Sequence, residues 1–222
     1  MLFRSGGTGL YIDSLLSGRD FSARDEEGES LRAHLNARYD AEGGEALLTE
    51  LASFDAERAA KLHPSDRRRI VRAIEIYRLT GETMSAHDAR TRALPPRYDA
   101  ARILLNYRSR ADLYARIDAR VDAMVAAGLF DEVAALLAEG LSPACTAMQA
   151  IGYKEAALAL AGAISREEAI GLIKQNSRRY AKRQLTWFGR WEDALRLNWE
   201  SEPDFENALR LSTEFLTARG LS

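Results

Sequence analysis

Two short apolar runs, Ala101–Tyr107 and Ala194–Trp199, are the strand candidates in a chain whose other segments carry helical signals. A chain so poor in strand builds its core mainly from helices, with a small sheet at most. Leu10–Leu16 has helix-like spacing until Gly18 stops it, and Glu29–Lys61 reads as two or more polar helices around Gly43–Gly44. His63–Pro64–Ser65–Asp66 predicts a helix start, with Ser65 as the cap and Asp66 in the first turn. That helix runs to about Thr80 with Ile70, Ile74 and Tyr77 on one face, and Gly81 ends it. Ser85–Arg92 with Pro95–Pro96 reads as the clearest linker. Helices follow at Asp112–Ala127 and Phe130–Glu139, then irregular chain over Ser142–Tyr153, then helices at Glu167–Trp187 and Phe205–Thr217.

The 222 residues are 46% hydrophobic, enough for a sizeable core, and no apolar run approaches the roughly 20 residues that span a bilayer. Cys145 is the sole cysteine, which excludes an internal disulfide and suits a reducing cytosol. The expectation is a soluble, cytoplasmic protein with no membrane partner. A net charge of −2 hides a separation along the chain. Residues 20–60 carry 11 acidic and 4 basic side chains, whereas 171–190 carry 6 basic and no acidic ones, and 61–78 carry 6 basic and 2 acidic. Two basic segments on a nearly neutral chain point to a polyanionic partner.

Three groups of residues bear chemistry. Gly6–Gly7–Thr8–Gly9 before a helix offers unobstructed backbone N–H groups, a hydroxyl and the positive end of a helix dipole, all suited to phosphate oxygens, although glycine pairs also make plain turns. Arg120 falls by helical periodicity among Leu113, Ile117, Val121 and Met124. An arginine there either reaches out to solvent, pairs with a structural carboxylate, or meets a bound anion. On Glu167–Trp187, residues Arg178, Arg179, Lys182 and Arg183 spread over the side opposite Ile173 and Ala181. Four cations without acidic neighbours favour phosphate or nucleic-acid contact over a plain solvated face. Trp187 and Trp191 are expected to anchor the core. No Cys/His grouping has metal-ligand spacing, and GxxxxGK[ST] is absent.

Four stretches read together carry a resemblance: GGTGLY at 6–11; His63–Pro64–Ser65–Asp66 with RIVRA at 69–73 and Thr80–Gly81; QAIGYKE at 149–155; and YAKRQLTW at 180–187. In this order and spacing the chain resembles the tRNA dimethylallyltransferase family, also called tRNA isopentenyltransferases. The resemblance implies an α/β fold, predominantly helical by residue count, with a P-loop-type parallel sheet core (residues 1–19 and 95–222) and a helical insertion domain (20–94). It implies transfer of a dimethylallyl group from dimethylallyl diphosphate to N6 of the adenosine 3′-adjacent to the anticodon, position 37 of tRNA. Mg2+ would be bound through the diphosphate. By position, Thr8 and Arg120 match catalytic diphosphate contacts, with Gly6 and Gly7 on the same group. Arg32, Arg68, Arg69, Ile70, Val71, Arg72, Gln149, Ala150, Ile151, Gly152, Tyr153 and Lys154 match tRNA contacts, joined by Arg178, Arg179, Lys182 and Arg183 of the basic helix. The partners implied are the tRNA anticodon stem-loop and dimethylallyl diphosphate, and the expected state is a monomer. Family members begin with a strand, a Walker A loop and a catalytic aspartate segment, all before GGTG. The chain therefore resembles an amino-truncated member, and a catalytically inactive RNA-binding remnant is the alternative expectation.

Overall fold

Both apolar runs are strands and they pair with each other. β1 (Ile103–Tyr107) and β2 (Leu195–Trp199) lie parallel, in register from Ile103 opposite Leu195 to Tyr107 opposite Trp199. Parallel neighbours need a crossover, and here it is the helical chain between them. The computed structural model describes residues 4–18, 26–93 and 95–221, so the domain boundary expected at 19/20 lies outside the described residues. The chain divides into two units, Met1–Gly9 with Ala100–Ser222, and Leu10–Asp99.

In the first unit the crossover comprises α7 (Arg110–Ala126), α8 (Leu129–Ala138), α9 (Tyr153–Leu160) and α10 (Arg166–Phe188), and after β2 the chain ends in α11 (Phe205–Ala218). Ser109 starts α7 by accepting the N–H groups of Ala111 and Asp112. Ser165 and Glu168 form a reciprocal capping box at the start of α10. Val121, Leu129, Phe130, Val133, Met148, Ala156, Ala169 and Ile173 form the buried core. Ser142–Tyr153 is largely irregular, as its Pro143 and Gly152 suggested, with a single 3-10 turn at Ala147–Gln149.

The second unit is helical among the described residues: α1 (Gly9–Ser17) leads into it, followed by α2 (Glu26–Glu42), α3 (Gly44–Phe54), α4 (Ala56–Ala59), α5 (Arg67–Thr80) and α6 (Met84–Ala93). Ile70 and Ile74 of α5 pack on Leu35, Leu47 and Leu51, and Tyr77 stacks on Phe54 with ring centroids 4.0 Å apart. Two expectations need correction. Ser65 does not cap α5: its hydroxyl pairs with Nδ1 of His63 at 2.8 Å, and Asp66 is the residue before the helix. Ser85–Arg92 is no linker but most of α6, because Asp55, 30 residues earlier, accepts the Ser85 N–H at 3.0 Å while Thr91 is buried. No helix among the described residues is long and apolar enough to cross a membrane.

Asp55 also accepts the N–H of Arg58 at 3.1 Å and so caps α4. Burial alone would raise its pKa, but the hydrogen bonds from Ser85 and Arg58 outweigh burial and hold it below the ordinary value. Its contribution to stability is therefore present above about pH 4 and is lost as pH falls through the folded-state pKa. Asp55→Asn is expected to flatten the acid limb of the stability profile below about pH 4, read by denaturant unfolding across pH. An unchanged acid limb would refute the coupling.

Candidate functional site

The glycine loop is held by one face of α10. Tyr180, Gln184 and Trp187 stand at i, i+4 and i+7, so they line one stripe of the helix. Gln184 Nε2 donates to the carbonyl of Gly7 at 2.8 Å, and the Tyr180 hydroxyl donates to the same oxygen at 3.2 Å. The Thr8 hydroxyl lies 3.3 Å from the Tyr180 hydroxyl. A Cβ on Gly7 would stand 2.0 Å from Gln184 Nε2, and one on Gly9 would stand 2.1 Å from Cδ1 of Trp187. The rigid indole makes glycine a requirement at position 9, whereas at position 7 the flexible end of Gln184 can move aside. Gly9 is buried where α1 begins, whereas Gly6 and Thr8 are exposed. The loop carbonyl is thus turned onto the helix, and the exposed side of the loop keeps a hydroxyl and backbone N–H groups for an anion.

Arg120 is exposed on α7 and pairs with no carboxylate among the described residues. Its neighbours Asp118 and Asp122 turn the other way. Asp118 takes Arg178 of α10 at 2.6 and 2.7 Å, and Asp122 takes Lys174 at 2.6 Å. The uniform basic face of α10 needs correcting accordingly: Arg178 belongs to the seam with α7, and Arg179, Lys182 and Arg183 are the exposed cations. Arg183 lies over the Tyr180 ring, 5.5 Å from its centroid. Trp187 is half-buried against the glycine loop and Trp191 packs on Phe188 with centroids 4.8 Å apart, so both indoles make local packing contacts and, against expectation, do not anchor either buried core cluster among the described residues.

Around QAIGYKE, Gly152 turns the chain into α9 at φ 104, a conformation that favours glycine. Its N–H is accepted by Glu155 Oε2 at 2.8 Å, and Glu155 Oε1 accepts Asn176 of α10 at 2.7 Å. Ile151 is half-buried against the core, while Gln149, Ala150 and Lys154 are exposed. Gln149 donates to the Pro143 carbonyl at 2.8 Å. The Tyr153 hydroxyl donates to Glu132, which holds the phenol above its ordinary pKa.

In the second unit, Ile70 and Val71 are core residues, 0% and 3% exposed, so their side chains are unavailable to a ligand. Arg68 and Arg69 are exposed; Arg32 and Arg72 meet the carboxylate of Glu75, a residue given no role by sequence reasoning. Tyr180, Gln184 and Glu155 were likewise given none. The i, i+4, i+7 spacing of Tyr180, Gln184 and Trp187 was the available signal.

Comparison with known proteins bears on the family of the chain. The family described as IPP transferase matches residues 2–191. The tRNA dimethylallyltransferase 1 of Trichlorobacter lovleyi is 45% identical over 202 residues, covering 90% of this chain and 64% of the relative. The tRNA dimethylallyltransferase of Halothermothrix orenii is 42% identical over 217 residues, covering 95% and 65%. The chain thus spans just under two thirds of the length of these relatives. Among solved structures, the tRNA delta(2)-isopentenylpyrophosphate transferase of Staphylococcus epidermidis superposes with a TM-score of 0.58 at 38% identity, over 96% of this chain and 67% of that one. A eukaryotic dimethylallyltransferase acting on tRNA shares the fold at 22% identity, with a TM-score of 0.67 over 96% of this chain and 56% of that one. With its glycine loop and α10 inside the matched region, the chain belongs to the IPP transferase family.

Proposed function

We propose that the protein transfers a dimethylallyl group from dimethylallyl diphosphate to N6 of adenosine 37 in tRNA, acting in the cytoplasm as a monomer. The observation that carries this reading is the glycine loop: its carbonyl is tied down by Tyr180 and Gln184, which leaves the N–H groups and the Thr8 hydroxyl to face the donor diphosphate. As the C1–O bond of the donor breaks, the diphosphate leaves with the electron pair, N6 bonds to C1, and the proton N6 gives up passes to solvent water or to the departing diphosphate. Negative charge grows on the leaving group, so donors aimed at its oxygens act most strongly in the transition state. Because Tyr180 donates to Gly7, its oxygen accepts from Thr8 in the free protein. Turning the Thr8 hydroxyl toward diphosphate sacrifices only that long contact. Arg120, exposed and without a protein partner among the described residues, supplies the opposing charge. Mg2+ would enter with the donor as part of the substrate and would neutralise part of the diphosphate charge. No three His, Cys, Asp or Glu side chains among the described residues are grouped to hold an ion.

The candidate tRNA contacts are the exposed Arg68 and Arg69 with the partly exposed Arg72 in the second unit, and the exposed Lys154, Arg179, Lys182 and Arg183 in the first. The target base of the tRNA leaves the stack to reach the donor. Incubating the protein with labelled dimethylallyl diphosphate and unmodified tRNA is expected to place label on adenosine, and anticodon stem-loop affinity is expected to fall steeply with salt. Absence of transfer would overturn the activity; salt-indifferent binding would overturn the phosphate contacts.

A further inference from the structure

Glu75 is a carboxylate without a part in the chemistry above, yet it is 1% exposed. Arg32 of α2 reaches it with Nε on Oε2 at 3.0 Å and Nη2 on Oε1 at 2.6 Å. Arg72, three residues earlier on α5, places Nη1 on the same Oε1 at 2.8 Å. One buried negative charge therefore meets two positive ones whose side chains are 33% and 42% exposed. Such a group is a weak device for stability, because desolvating the carboxylate offsets most of the attraction and apolar side chains of similar volume do as well. What it supplies is geometry. Two guanidinium groups left alone repel and splay apart, whereas here they share one oxygen and lie side by side, with Glu29 adding a weaker negative field at Arg32. Nη1 of Arg32 and Nε and Nη2 of Arg72 make no hydrogen bond among the described residues. Arg68, Arg72 and Glu75 are spaced i, i+4, i+7, so the exposed Arg68 stands on the same side of α5.

We propose that Glu75 is a positioning residue for RNA: it clamps Arg32 and Arg72 together so that their free edges, with Arg68 beside them, take neighbouring phosphate oxygens of one strand. The inference rests on the tRNA reading above, and it sets two effects of one substitution against each other. Glu75→Gln removes a negative charge, so attraction at long range alone would tighten RNA binding. Loss of the clamp acts in the opposite direction.

The test is binding of an anticodon stem-loop RNA by the wild-type protein, Glu75→Gln and Glu75→Asp over a range of salt, with a thermal melt of each. The expected result is about tenfold weaker binding by Glu75→Gln, with a salt slope reduced by about 0.7, one phosphate contact on single-stranded RNA. Glu75→Asp keeps the charge but withdraws the carboxylate by one methylene, and should show an intermediate loss. Equal or tighter binding by folded Glu75→Gln would overturn the proposal. Should both variants unfold, Arg32→Ala, Arg72→Ala and their combination decide it: a clamped pair loses affinity less than additively, and additive losses overturn the clamp. Failure of the wild-type protein to bind the stem-loop at low salt removes the tRNA reading and the clamp together. Wild-type binding with Glu75→Gln unaffected removes the clamp alone.

Discussion

Thr8→Ala is expected to lower turnover by about 10²–10³ while leaving tRNA affinity close to that of the wild-type protein. Thr8 is exposed, and the one hydrogen bond of its hydroxyl among the described residues is the long one to the Tyr180 hydroxyl at 3.3 Å, so little stability depends on it. Tyr180 and Gln184 still hold the Gly7 carbonyl in the variant, and the loop keeps its course. The whole loss then falls on charge developing at the leaving diphosphate, which ground-state binding hardly senses. Arg120→Ala should follow the same pattern. Arg120 is exposed, so its removal should leave the melting temperature unchanged. Arg72→Ala should do the reverse, weakening tRNA binding with turnover at saturation little altered. Single-turnover assays beside stem-loop titrations separate the two classes. Normal turnover by Thr8→Ala would remove the diphosphate assignment.

The sequence was legible wherever the deciding interaction is local. Helical periodicity marks Ile70 and Ile74 as core, Gly81 and Gly128 end and begin helices through positive φ, and Ser165 with Glu168 caps α10 within three residues. It misled wherever a partner distant in sequence decides. Ser85–Arg92 is polar enough to read as linker, yet Asp55 caps it from 30 residues away. Ser65 is the local exception: its hydroxyl has the chemistry of a cap, but the imidazole of His63 claims it two residues back. Arg178 has no acid near it along α10, because its acid, Asp118, stands on α7 sixty residues earlier. The short α9 carries too few turns for a periodic signal, and it is fixed at its start by Glu155 bonding both Gly152 and Asn176. At the candidate site, the glycine loop and the YAKRQLTW helix were each readable as motifs. That one is the support of the other rests on contacts spanning more than 170 residues, which no local pattern encodes.

Those contacts make Gly9 a sensitive position. A methyl group there would lie 2.1 Å from Cδ1, 2.4 Å from Nε1 and 2.5 Å from Cγ of Trp187, inside the contact distance of three ring atoms at once. A flexible side chain yields cheaply to such a clash, as the end of Gln184 would to a methyl on Gly7; an indole must rotate as a plate or force the backbone aside. Gly9→Ala is therefore expected to destabilise the protein by about 1–3 kcal/mol, a fall in Tm of several degrees. Because Thr8 is the preceding residue, a backbone shift near 1 Å would also cost on the order of 10²-fold in turnover. Gly6→Ala meets nothing within 4 Å and should do neither. Replacing the ring tests the cause. In a Trp187→Leu background, Gly9→Ala should cost less than about 0.5 kcal/mol, the residue expected of uncoupled sites. Equal costs in the two backgrounds would show that the glycine serves the loop's own conformation, and that the indole does not fix where Thr8 stands.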